Sequence, residues 1–169
     1  MGVLLTADFL IAGAGLLVGS SSTSSQVKSQ LIEQRVFFPL KGRMDYQDLV
    51  EANLTSYASQ QVLTDSRAQI FADKIFGVDT IAISGEKTYS QLSAASLAHP
   101  KNTALANQVN LVFRGDTLRG LLLNAYAFGF MGVIALYGAI AMLFAALVML
   151  ILTLLGVRHY KQGNPETVI

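Results

Sequence analysis

Residues able to do chemistry are few in this chain, and they stand far apart. There is no cysteine, which excludes disulfides, iron–sulfur clusters, thiolate zinc sites and cysteine nucleophiles. The two histidines, His99 and His159, cannot form a three-histidine metal centre. Serines and carboxylates are plentiful between the apolar ends, yet they build no Gly-x-Ser-x-Gly elbow, paired-carboxylate motif or Walker loop. The sequence therefore predicts no enzyme, no cofactor and no metal.

Three polar features remain. Asp8 is the only acid close to an expected membrane span, where an ionisable group suggests a proton relay or the partner of a cation on another subunit. In a helix starting near Thr6 it would instead stabilise the helix N-terminus from the membrane interface, and we take that reading. Arg114, Asp116 and Arg119 cluster before the second apolar segment, with Asp116 suited to cap a helix. The two arginines suit lipid phosphate or an acidic protein surface, so Arg114 and Arg119 are expected interfacial anchors, as are Arg158 and Lys161 after that segment. Asn53-Leu54-Thr55 is a formal glycosylation acceptor, set within a predicted amphipathic helix.

The elements holding these residues follow from composition. The 169 residues are 52% hydrophobic and 14% charged, too apolar for an ordinary soluble domain of this size. A net charge of +1 leaves no excess for nucleic acid or for a polybasic lipid surface. From Gly120 to Val157 no residue is charged, and at 1.5 Å per residue that run makes roughly 57 Å of helix against about 30 Å of hydrocarbon. No turn signal divides it, so it reads as one helix that begins outside the bilayer and spans from about residue 132. The stretch Leu121–Met131 then sits at or above the interface and needs a protein partner, with Tyr126, Phe128 and Phe130 as the expected contacts.

The first apolar segment, Val3–Val18, is followed by Gly19 and a run of serines. It spans only if the serines join the helix, their hydroxyls bonding back to the preceding turn, which predicts a helix from about Thr6 to Lys28. A secretory signal cleaved at Val18-Gly19-Ser20 is the rival reading, but no Lys or Arg precedes the apolar run. Arg158 and Lys161 directly follow the second span, which predicts cytoplasmic termini and an external middle region. The expected fold is an all-α membrane protein in which two transmembrane helices flank a small, mainly helical extracytoplasmic domain. Its expected parts are a first span over 1–28, the external domain over 29–115, a long second helix over 116–157 and a cytoplasmic tail over 158–169. This places the protein in the plasma membrane.

Within the middle region, period-3.6 spacing predicts helices over Tyr46–Tyr57 and Leu63–Ile75, a strand over Val78–Ser84, a short helix over Tyr89–Ala98, and a kink near Gly115. Fewer than 100 residues without disulfides would be marginal alone. Small residues line one face of the second span at Ala125, Gly129, Gly132, Ala135, Ala139 and Ala146, while Gly15, Gly19 and Thr23 do so on the first. Such faces let membrane helices approach closely, so these glycines and alanines are the expected packing seam.

The tract Gly85-Glu86-Lys87-Thr88-Tyr89-Ser90-Gln91-Leu92, preceded by Ala68-Gln69-Ile70-Phe71-Ala72-Asp73-Lys74-Ile75, resembles a family of small actinobacterial membrane proteins. The order of parts is similar: a first span ending near Ser29-Gln30-Leu31, a short helical domain, and one long final helix. Many of that family bear the name aromatic-ring-opening dioxygenase, yet this chain lacks the clustered histidines and carboxylate of an extradiol iron site. It also departs from the pattern in its serine-rich first span and its Lys41-Gly42-Arg43 linker. Similar hairpins occur as accessory subunits of the respiratory supercomplex that joins cytochrome bc to cytochrome oxidase. The resemblance implies a non-catalytic subunit of that assembly, with larger integral membrane subunits and lipids as partners. The alternative expectation is a stand-alone envelope sensor or ligand-binding membrane protein.

Overall fold

The computed structural model describes residues 1–43 and 45–162, the side chain of Lys161 excepted. Within them 82% of residues are helical and no strand forms. The helices are α1 (Gly2–Gln34), α2 (Tyr46–Glu51), α3 (Asp65–Phe71), α4 (Gly77–Ser84), α5 (Tyr89–Ala98) and α6 (Thr103–Gln162). α1 and α6 are each long and apolar enough to cross a membrane. Only 11% and 6% of their most apolar stretches are buried, so neither is the buried core helix of a soluble protein. The chain divides into two compact units, one of Met1–Ser24 with the part of α6 from Met131 onward, the other Ser25–Phe130.

In the first unit α1 and α6 pack antiparallel, since Gly2 meets Thr153, Gly13 meets Leu143, Leu16 meets Gly138, and Ser20 and Thr23 meet Gly132. The covered positions of α1 are Gly2, Thr6, Phe9, Gly13, Leu16, Ser20 and Thr23, alternating by four and three. On α6 they include Gly132, Ala135, Ala139, Met142, Ala146, Met149 and Thr153, alternating by three and four. That is the heptad spacing of a coiled-coil seam, here built from small residues that let the backbones approach. Three seam threonines bond back within their own helices: Thr6 donates to the Gly2 carbonyl at 2.9 Å, Thr23 to Gly19 at 2.8 Å and Thr153 to Met149 at 2.7 Å. Ser21 likewise donates to the Val18 carbonyl at 3.0 Å, and α1 runs unbroken through the serine-rich stretch.

The second unit has its own core. Val27 and Leu31 from α1, Phe38, Leu49, Val62, Ala68, Phe71, Ala72, Ile75, and Leu122 from α6 form one buried cluster. Phe71 stacks edge-on against Phe38 at 5.1 Å and against Phe76 at 5.3 Å, geometries that favour the ring quadrupoles. A single antiparallel bridge joins Phe37 to Gln61, and the Gln61 amide donates to the Ile32 carbonyl at 3.0 Å, closing the end of α1.

Several expectations are corrected here. α1 starts at Gly2 and ends at Gln34, beyond the predicted 6–28, so Asp8 lies past the first turn, is exposed, and caps nothing. Val78–Ser84 is helical, because its buried positions are Gly77, Thr80 and Ser84 at helical spacing while Val78, Ile81 and Ile83 face outward. A π-turn, Ala72–Phe76, joins α3 to α4. The helix predicted over Tyr46–Tyr57 breaks after Glu51, with Asn53 in the left-handed region at φ 56° and a 3₁₀ turn at Thr55–Tyr57. Asn53 is thus an exposed turn residue. α6 begins at Thr103, capped by Asn102, whose side chain accepts from the Leu105 amide at 3.0 Å. Asp116 is therefore inside a helix and caps none, and α6 runs through Gly115 without interruption.

Candidate interaction surface

The residues singled out by sequence fall into three environments. Gly132, Ala135 and Ala139 lie in the α1–α6 seam of the first unit, with Ala139 and Gly132 buried. Gly15 and Gly19 do not face α6: a methyl added to either would meet nothing within 4 Å. The heptad phase of α1 brings Gly13 to the seam instead, where a methyl would stand 3.0 Å from Leu143 and 3.5 Å from the Ala139 carbonyl.

Ala125 and Gly129 belong to the second unit, where Ala125 packs against the core. Gly129 is buried with the Asp65 side chain pressed against it, at the first turn of α3. Gly115 plays the same part beside Thr80 of α4. These glycines thus admit other parts of the second unit to the surface of α6, a use different from the membrane seam expected of Ala125 and Gly129.

Arg119 is likewise drawn inward. Its guanidinium donates to Asp73 Oδ1 at 2.9 Å across the π-turn, and a methyl on Gly77 would stand 3.5 Å from Arg119 Nε. Nε itself is buried without a hydrogen-bond partner. Arg119 therefore ties α6 to the π-turn through an acidic partner within the chain. Sequence spacing gives no sign of this pair, because 46 positions separate the partners. Arg114 and Arg158 are exposed, and the Lys161 side chain lies outside the described residues. His99 bonds through Nδ1 to the Ala95 carbonyl at 3.1 Å, and His159 is exposed on α6.

Between α2 and α4 the carboxyls of Asp48 and Asp79 share a neighbourhood. Burial pushes Asp79 above the ordinary carboxylate value, and the charges of Asp48 and Asp45 add to the effect. Asp48 is raised by burial, then by Glu51 and Asp45. Among the described residues no group of three or more His, Asp or Glu is placed to hold a metal ion. A cleft of about 290 Å³ opens between α4, α5 and α6, lined by Thr80, Ser84, Lys87, Thr88, Tyr89 and Asp116 among others.

The larger feature is uncovered apolar surface. On α6, Leu121, Phe128, Phe130 and Met131 are all at least half exposed, and exposed apolar residues continue through Ile134, Tyr137, Ile140 and Phe144 to Val157. Tyr126 is half-buried, its ring 6.1 Å from that of Phe130. No family model, no curated protein and no solved structure matches this chain. Function must therefore be argued from the surface itself. What it offers among the described residues is shape and apolar area on helices.

Proposed function

We propose that the protein is a non-catalytic accessory subunit of a larger membrane complex, held there by burial of α6 and its aromatic residues. One observation carries the reading: the exposed apolar face of α6 is longer than a bilayer can cover. Where α1 turns from apolar residues to serines, at Ser20–Ser24, its partner on α6 is Gly132. The hydrocarbon boundary fits near that level, since beyond it Val27 and Leu31 of α1 are buried in the second unit's core and no longer form an open apolar face. Leu121, Phe128 and Phe130 precede Gly132 and are still exposed, an apolar surface on the second unit that a protein partner would cover.

In this reading Ser25–Phe130 lies outside the cytoplasm and the chain ends lie inside, as Arg158 and Lys161 favour. The resemblance noted from sequence makes the respiratory supercomplex of cytochrome bc and cytochrome oxidase the assembly to test first. Replacement of Phe128→Glu together with Phe130→Glu is expected to release the protein from its complex while leaving it inserted in the membrane. Both side chains are about half exposed, so the fold does not depend on them. Unchanged co-purification would refute the contact.

The cleft between α4, α5 and α6 favours a second reading, a membrane-anchored module that binds a small polar ligand from outside. Its volume is at the low end of ligand sites.

A further inference from the structure

α6 presents two different faces within Ser25–Phe130. One, through Val112, Gly115, Arg119, Leu122, Tyr126 and Gly129, is covered by the rest of the unit. The other, through Leu111, Arg114, Leu118, Leu121 and Phe128, is open, and its four apolar members are each 46–54% exposed. Their positions 111, 114, 118, 121 and 128 keep heptad spacing, while Ala125, which falls between the last two in that frame, is partly buried against the unit's core. Resting on the accessory-subunit reading, we propose that this face receives an apolar helix of a larger subunit, and that the helix carries a carboxylate opposite Arg114.

The charge pattern selects this occupant. Arg114 is the single charge in the stripe, and among the described residues no carboxylate lies within ion-pair distance of it. Asp116, two residues on, lines the cleft between α4, α5 and α6 on the other side of the helix. The flanking exposed positions Asn110, Thr117 and Asn124 are uncharged. A second copy is disfavoured, because two copies inserted the same way would pack α6 in parallel and set Arg114 against the second copy's Arg114 at the centre of the seam. Lipid tails are disfavoured too, because the stripe holds a guanidinium and is flanked by the exposed amides of Asn110 and Asn124 and the hydroxyl of Thr117. A partner helix with Asp or Glu in register satisfies both the apolar stripe and the lone guanidinium.

The test is photo-crosslinking of the full chain in native membranes, with Leu118→benzoylphenylalanine as the probe and native-gel migration recorded in parallel. The expected result is one protein adduct within a large complex. Its cross-linked peptide should be an apolar helix with an acidic residue within one turn, and adduct yield should fall roughly tenfold with Arg114→Glu but hold with Arg114→Lys. An adduct to a second copy or to lipid, a peptide without a carboxylate, or a yield indifferent to Arg114→Glu would overturn the inference while the large complex keeps the accessory reading. A protein migrating alone and without an adduct overturns both.

Discussion

At the scale of single residues, glycine divides into two kinds on these helices. Gly129 gives up its side chain so that Asp65 can lie against α6, and Gly129→Ala should destabilise the second unit by about 1–3 kcal/mol, because the first turn of α3 would have to move. Gly15→Ala and Gly19→Ala meet open space and should be neutral or stabilising by up to about 1 kcal/mol, through helix propensity alone. Thermal unfolding of the three variants in one detergent checks the contrast. Small-residue spacing made Gly132 and Ala139 legible as a close-packing face of α6. On α1 the same rule chose Gly15 and Gly19 over Gly13, because glycine content alone does not fix heptad phase. Asp79 adds a pH signature. Its folded pKa is raised, so protonation stabilises the native state: the contribution is full below the ordinary carboxylate range and is lost as pH rises through the raised value. Asp79→Asn should therefore raise the melting temperature near neutral pH and shrink the difference between about pH 4 and about pH 7. An unchanged pH profile would show that the Asp48–Asp79 neighbourhood does not couple to folding.

At the scale of elements, the two long helices were legible because apolar run length is a coarse signal that local detail does not disturb. The short elements were less so. Val78–Ser84 looks like a strand by its β-branched residues, yet the π-turn after Phe71 carries it on from α3, and packing against α6 outweighs the local preference. The break after Glu51 depends on Asn53 entering the left-handed region, which a helical periodicity conceals. α5 has the bounds its sequence predicts, since Thr88 and Gln91 form a reciprocal capping box after Gly85 ends α4 at φ 59°. Thr88→Ala should cost about 1 kcal/mol and increase amide exchange in the first turn of α5, with the α1–α6 seam unaffected. Hydrogen exchange followed by mass spectrometry reads both regions in one experiment.

At the scale of the whole molecule, what matters is the mismatch between the apolar length that α6 exposes and what a bilayer can cover. The length of the uncharged run announced that mismatch in the sequence. In the first unit α1 reaches its serines beside Gly132, and in the second unit α6 exposes Phe130, Phe128 and Leu121. The open stripe around Arg114 was not legible, since it appears only once the covered face of α6 is known. The most direct measurement is to solubilise native membranes in a mild detergent, pull on a C-terminal tag, and record native-gel size beside a reduced-minus-oxidised spectrum. For an accessory subunit of the respiratory assembly the expected result is a very large band in which haem absorbance co-migrates with the tag. A small, colourless species would contradict it.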